Sequence, residues 1–336
     1  MARKILITGA GGFIGGHVVE EALRRGYDTY AGVRSTTSRE YLNDSHISFV
    51  DLDFAHPEKM RAQLLHYKNE MGGWDYIVHN LGVTKCKKQS DFYTINYEYT
   101  RNFVDALVEC DMVPLKFIYM SSLSVCGKGD EKNHTPIKLT DMPRPDTNYG
   151  KSKLKAEQHL QSLPNFPYII LRPTGVYGPR EKDYLLMMKT IKWCVDFRSG
   201  WSKQLITFVY IKDLVRAIFA AVECDKKRKI YFISEERAYS SSGFCDYVAQ
   251  ELGRKFVIPI VLPNRLMWII THIAEFFSKL TGCTTPINRD KYHIMIQRNW
   301  VCDTALTSEE LGFTPHYSLE EGVRETVAWY RSNKWL

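Results

Sequence analysis

The run Ile7-Thr8-Gly9-Ala10-Gly11-Gly12-Phe13-Ile14-Gly15 constrains this chain more than any other feature. The apolar stretch Lys4–Thr8 before it reads as a strand, and a helical pattern follows over Gly15–Arg25. A glycine-rich turn alone can be an ordinary loop. Between a strand and a helix it has a specific use: small residues let the backbone turn tightly and approach a pyrophosphate, which then sits on the amide-rich, positive end of the helix. Gly9, Gly12 and Gly15, spaced three apart, are the expected contacts.

Alternation continues through the first half. Strands are predicted near Lys4–Thr8, Asp28–Val33, Ser48–Asp51, Tyr76–Asn80, Lys116–Ser121 and Tyr168–Arg172. Helices are predicted over Gly15–Arg25, Asn96–Cys110 and Tyr149–Leu163. This order predicts an α/β fold, a doubly wound parallel sheet of the Rossmann type with helices on both faces. After Thr174 the character changes, with strand-like pieces at Leu205–Val209 and Ile230–Ile233 and a last helix over Leu319–Trp335. The expected division is a dinucleotide-binding domain at 1–174, completed by strands near 205–234, and a smaller substrate-binding part from 175–204 and 235–336, interleaved with it.

Bulk properties narrow the partners. The chain has 336 residues, 44% of them apolar, and a net charge of +7. That balance suits an anionic cofactor or substrate, and the basic residues are too scattered for a nucleic-acid face. Lys226-Lys227-Arg228-Lys229 reads as a solvated loop before a strand. Eight cysteines without a Cys-x-x-Cys pair fit reduced thiols in the cytoplasm, and the scattered histidines offer no metal site. The apolar run after Met1-Ala2-Arg3-Lys4 is too short for the hydrophobic region of a signal peptide. Pro263–Leu280 is rich in large apolar residues, but Arg265, His272, Glu275 and Lys279 argue against a membrane span. It is expected to be a core helix; a lid over an apolar substrate and a face resting on a membrane surface are the alternatives.

The end of the second strand should meet the adenosine ribose, where an NAD site usually places a carboxylate. This chain reads Gly32-Val33-Arg34-Ser35-Thr36-Thr37-Ser38-Arg39, with no acid. Arg34, helped by Ser35 and Arg39, suits the 2′-phosphate of NADP; the alternative is a solvated basic loop. NADP is therefore expected ahead of NAD. Asp51 is a candidate adenine contact, with Leu52 packed near the ring.

Tyr149 and Lys153, in Tyr149-Gly150-Lys151-Ser152-Lys153, share one helix face. A tyrosine hydroxyl has a pKa of about 10 and is a poor acid or base at neutral pH. A nearby ammonium favours the phenolate, so such a pair can exchange a proton with a substrate hydroxyl.

In combination these residues resemble the extended short-chain dehydrogenase/reductase family, also called the NAD-dependent epimerase/dehydratase family, along nearly the whole chain. TGAGGFIG at 8–15 resembles its cofactor turn, Val78-His79-Asn80-Leu81-Gly82 its fourth-strand motif and MSSLSVCG at 120–127 its serine strand. YGKSK at 149–153 resembles the catalytic pair, LRPTGVYGPR at 171–180 a frequent signature, and Phe208–Leu214 a later one. The resemblance implies Ser122, with Ser121 and Ser124 as near alternatives, as the hydroxyl that holds the substrate oxygen. It implies Tyr149 as acid/base and Lys153 as the ribose contact that lowers the tyrosine pKa. Asn96 matches the family's structural asparagine and is grouped with the catalytic residues. Cofactor contacts implied by the same motifs are Phe13, Ile14, Asn80, Leu81, Gly82 and Pro173, besides the glycines, Tyr149 and Lys153. Dimers are common in the family, so a homodimer through the 96–110 and 149–163 helices is expected.

Two departures bear on the substrate. Nucleotide-sugar members commonly carry Asn where this chain has Gly175, and often Tyr where it has Cys126. The C-terminal order, an apolar helix, Thr281-Gly282, Asn288-Arg289-Asp290-Lys291, Trp300-Val301-Cys302-Asp303 and Leu311-Gly312-Phe313, is similar to 3β-hydroxysteroid-type and dihydroflavonol-type reductases. It is also similar to some lipid-associated sugar epimerases. The expected function is NAD(P)-dependent oxidoreduction of a secondary alcohol or ketone on an apolar, steroid-like molecule. The alternatives are a nucleotide-sugar epimerase, dehydratase or reductase, with Arg289 or Arg298 gripping a diphosphate, and a non-catalytic dinucleotide-binding module.

Overall fold

The computed structural model describes residues 2–281 and 288–336. Gly282 and the side chain of Lys279 lie outside the described residues. Strands β1 (Lys4–Thr8), β2 (Asp28–Gly32), β3 (Ile47–Val50), β4 (Tyr76–His79), β5 (Lys116–Met120) and β6 (Tyr168–Pro173) join the strand Lys229–Ile233 in one sheet. All pairings are parallel, and the order is Lys229–Ile233, β6, β5, β4, β1, β2, β3. The order in which strands are added reverses between β1 and β4, the point at which such sheets open a ligand crevice. One face is covered by α1 (Phe13–Arg24) and the helix Ile211–Glu223. The other is covered by α2 (Pro57–Met71), α4 (Tyr99–Glu109) and α5 (Asn148–Ser162). The short helix α3 (Gln89–Tyr93) leads into a π-helical turn, Thr94–Glu98, and so into α4.

The predicted strands and helices of the first half appear within one or two residues, except that α4 starts at Tyr99, three residues after the expected Asn96, which lies in the π turn. The second half departs more. Leu205–Val209 does not add to the central sheet. Buried Thr207, whose hydroxyl donates to the Trp300 carbonyl at 2.6 Å, splits it. Leu205–Ile206 then pairs with Tyr239–Ser240 and Asn299–Trp300, while Phe208–Tyr210 pairs with Gly175–Tyr177. Only Lys229–Ile233 reaches the main sheet. A further ribbon, Val195–Ser199 beside Ile258–Leu262, was not expected, because Asp196, Arg198 and Pro259 interrupt its apolar pattern. The apolar helix Asn264–Thr281 is not a core helix either: Ile273 is 51% exposed and Phe276 60%.

A polar chain runs through the core beneath the crevice. The Leu81 amide donates to Thr8 Oγ1 (3.3 Å), and Thr8 Oγ1 donates to His79 Nδ1 (2.9 Å). Thr100 Oγ1 donates to the Asn96 carbonyl (2.9 Å), so it accepts from His79 Nε2 (3.1 Å). This direction of donation assigns His79 as the neutral Nε2–H tautomer. It ties β1, β4 and α4 together. Burial, with a smaller push from the Lys153 charge, takes the His79 pKa down from 6.5 to about 3. The folded protein therefore refuses a proton that the unfolded chain accepts below about pH 6.5. Stability is lost as pH falls from there toward 3. Urea titrations between pH 7 and 4 should show a falling midpoint, and His79→Asn should remove up to about 1.4 kcal/mol of that loss per pH unit. An unchanged slope in the variant would assign the titration to other groups.

Candidate active site

The glycine turn sits at the switch point because its residues have nowhere to put side chains. Gly9 has φ +67°, and a Cβ there would lie 2.8 Å from the Asn80 carbonyl at the end of β4. A Cβ on Gly15 would collide with the Gly9 carbonyl. Gly12 caps α1 without any side-chain hydrogen bond, and the first turn carries no acid. The opening amides of α1 are thus left to an anion, so the residues present fit a dinucleotide pyrophosphate. Phe13 and Ile14, next in the chain, pack against the core. The loop after β2 lies beside the turn, since a Cβ on Gly11 would come within 3.0 Å of the Ser38 carbonyl. Arg34 and Ser35 are exposed there; the Arg34 amide donates to Thr37 Oγ1 at 3.1 Å. Arg39 is turned away, its guanidinium 4.1 Å from the Phe49 ring. Beyond β3, Asp51 is exposed, with its carbonyl accepting from Gln63, and Leu52 is buried.

Three elements converge at the far side of the crevice. A Cβ on Gly82, just past β4, would come within 3.0 Å of both Lys153 Nζ on α5 and Asn96 Oδ1 in the π turn. Asn96 is fully buried and acts as a clamp. Its Oδ1 accepts from the Val83 amide (2.8 Å), and its Nδ2 donates to the Val83 carbonyl (3.1 Å) and to Ser152 Oγ (3.0 Å). Lys153 Nζ donates to the Met120 carbonyl at 2.8 Å, 4.9 Å from the Tyr119 ring centre. Pro173 closes β6 nearby in the sheet and is buried.

The three serines after β5 have different partners. Ser121 donates to Glu157, which is itself bound by Arg172 through Nε (3.0 Å) and Nη2 (2.5 Å). Ser124 is engaged with Ser122, whose Oγ also caps the short helix Leu123–Val125. Burial pushes the Tyr149 hydroxyl up to about 12, and of the three serines it is Ser122 that opposes this shift. Burial pushes Lys153 down to about 8, opposed by Glu157. The expected lowering of the tyrosine pKa by the lysine is outweighed, because desolvation dominates and the ammonium is aimed at the Met120 carbonyl.

Asp290 was not singled out for the site by its sequence. It accepts from the Tyr149 amide (2.9 Å) and from Asn148 Nδ2 (3.2 Å), placing a carboxylate at the start of α5. The 288–291 run marks a helix start, with Asn288 Oδ1 accepting from the Lys291 amide, but nothing in its spacing points to residue 149. Asp183, bound by Lys85 and Lys291 (3.4 Å), links the loop after β4 to the C-terminal part. A Cβ at position 175 would meet the Tyr184 hydroxyl, so a polar side chain there would require Tyr184 to shift. Cys126 is buried against Arg172. Arg298 is buried and donates to the Ser199 carbonyl (2.6 Å), and Arg289 pairs with Glu275 (3.1 Å). Neither arginine stands uncommitted for a diphosphate.

Residues 5–234 match the family described as "NAD dependent epimerase/dehydratase family". The chain is 24% identical to UDP-glucose 4-epimerase of Vibrio cholerae, over 97% of this chain and 95% of that protein. It is 23% identical to the decarboxylating sterol-4-alpha-carboxylate 3-dehydrogenase of Dictyostelium discoideum, over 96% and 99%. Its fold matches that of UDP-glucuronic acid 4-epimerase from Bacillus cereus, solved in complex with NAD, at a TM-score of 0.75 and 21% identity over 98% and 99% of the two chains. With the glycine turn and the convergence on α5 already in place, the match over most of the chain is decisive: this protein belongs to the NAD-dependent epimerase/dehydratase family and is an enzyme of the extended short-chain dehydrogenase/reductase type.

Proposed function

We propose that the enzyme oxidises or reduces a secondary alcohol or ketone carbon of an apolar, steroid-like substrate, with Tyr149 as acid/base. The observation that carries the chemistry is the placement of Tyr149 on α5 one turn before buried Lys153, with Ser122 acting on its hydroxyl. The nicotinamide dinucleotide supplies or accepts the hydride. Tyr149, protonated at neutral pH in this environment, delivers its proton to the substrate oxygen in the reducing direction and takes it back in the other. Ser122 holds that oxygen and stabilises the charge that develops on it. Lys153 holds the nicotinamide ribose, and Asn96 positions α5 through Ser152. Gly9, Gly12, Phe13, Ile14 and Gly15 hold the pyrophosphate, Asp51 and Leu52 border the adenine, and Asn80, Leu81, Gly82 and Pro173 line the rest of the cofactor crevice. Residues 175–204 and 235–336 form the substrate part.

The apolar substrate is supported by what the site lacks at three positions. Gly175 packs against the Tyr184 hydroxyl, and Arg289 and Arg298 are committed to Glu275 and to backbone. A second reading, epimerisation or dehydration of a nucleotide sugar, is favoured by the relatives whose names carry those activities. Nicotinamide absorbance with a panel of hydroxysteroids and of nucleotide sugars separates the two: turnover of a nucleotide sugar alone would replace the first reading.

Tyr149→Phe should lower turnover by roughly 10²–10⁴-fold while dinucleotide binding, followed by fluorescence, stays nearly unchanged. Normal turnover would remove Tyr149 from the mechanism. We also propose that the enzyme prefers NADP, held at its 2′-phosphate by Arg34 and Ser35. Arg34→Ala should then weaken NADP by roughly 10- to 150-fold and leave NAD nearly unaffected, since a charge-assisted bond contributes roughly 1.5–3 kcal/mol. Equal losses for both cofactors would assign Arg34 to solvent.

A further inference from the structure

The helix Asn264–Thr281 presents its apolar side to solvent. Leu266, Ile269, Ile270, Ile273 and Phe276 follow helical spacing along one face, and each is between 37% and 60% exposed. Met267 and Thr271 face inward instead. Among the described residues no helix is long and apolar enough to cross a membrane. A helix of this pattern suits the plane of a lipid surface, its apolar stripe in the acyl boundary.

Two further observations name the occupant. The first is aromatic. Trp193 and Trp201, on either side of the strand Val195–Ser199, are 80% and 74% exposed. That strand and Ile258–Leu262 form a ribbon that runs directly into the helix. The end of the ribbon is held to the helix start, with the Gly200 amide donating to the Leu262 carbonyl (2.9 Å) and Ser199 Oγ donating to Asn264 (3.3 Å). Phe197 and Ile260 are directly paired in register, so they share a ribbon face, and both are exposed. Tryptophan is the residue that sits at the headgroup level. The second observation is charge. In residues 186–203 and 253–277, Lys189, Lys192, Lys203, Arg254, Lys255 and Arg265 are exposed. The two acids in those segments are neutralised: Asp196 is buried against Arg198 (2.6 Å), and Glu275 pairs with Arg289 (3.1 Å). A second protein copy would bring the same cations into apposition, whereas an anionic lipid surface complements them.

We propose that the outward face of the helix 264–281, with the adjoining ribbon and tryptophans, docks this enzyme on the surface of an anionic lipid bilayer. The site of Tyr149 and Lys153 takes no part in this contact, so the proposal stands apart from the choice of substrate.

The test is co-sedimentation of the full-length protein with vesicles of phosphatidylcholine alone and of phosphatidylcholine with phosphatidylserine. Binding should favour the phosphatidylserine vesicles and weaken as salt is raised. The double variant Ile273→Glu with Phe276→Glu should bind at least about tenfold more weakly, with unchanged circular dichroism and dinucleotide affinity. Lys189→Glu with Lys192→Glu leaves the stripe intact and should erase the preference for phosphatidylserine. No vesicle binding by the parent protein overturns the proposal. So does full binding by the Ile273/Phe276 variant, or a dimer that this variant dissociates, in analytical ultracentrifugation, without changing vesicle binding; the last result gives the face to a second copy.

Discussion

Helix α5 depends on one buried ion pair. Glu157 is fully buried and meets Arg172 of β6, itself 3% exposed, through two hydrogen bonds, and Ser121 at the end of β5 donates to the same carboxylate. Two strands and a helix are locked by one side chain. Leaving either charge alone in the interior would cost about 3–5 kcal/mol, so the three elements hold their relation or lose it together. Lys153 and Tyr149 stand one and two turns before Glu157, on the same face. The position of the Tyr149 hydroxyl is thus set by an acid two turns further along the same helix. Asp290 at the start of α5 fixes the other end of the helix, and through it the C-terminal part contributes to the site.

The same depth of burial governs the electrostatics. Removing water raises the tyrosine pKa and lowers that of the lysine, toward about 12 and about 8. Both shifts favour neutral groups, as desolvation must. Glu157 opposes the shift on Lys153 and Ser122 opposes the one on Tyr149. His79 is another buried titratable group in this region, and it stays neutral because the Thr8 and Thr100 hydroxyls satisfy both ring nitrogens without a charge. A positive His79 would require Thr8 to surrender its donation and would add a second cation near Lys153.

Local patterns were legible where one rule dominated. The glycine turn followed from its place between a strand and a helix, and the strands of the first half followed from short apolar runs broken by helices. The four-residue spacing of Tyr149 and Lys153 placed both on one face of α5. What escaped reading was set by contacts between distant segments. No local signal tells that Thr207 will turn its hydroxyl to Trp300 and split a strand. The π turn at Asn96 adds one residue to a helix that reads as continuous, and that residue aims the side chain at the Val83 backbone. Arg298 reads as an available cation and is spent on the Ser199 carbonyl.

The helix 264–281 shows why composition misleads. Apolar residues at helical spacing specify a face that leaves water, and the default destination is the protein's own core. Here the inward positions are few, Met267 and Thr271, and the helix start is held by polar contacts, with Arg298 donating to Asn264 at 3.3 Å. The stripe is therefore the larger of the two apolar faces and the one without a place inside. Exposed apolar area on this scale is unfavourable in water, and a chain carries it where something else covers it. The anchoring of Asn264 and the ribbon that feeds the helix leave that face outward, and the Glu275–Arg289 pair ties the helix to the segment whose Asp290 accepts from the Tyr149 amide. Surface and site are thus joined through a short series of contacts.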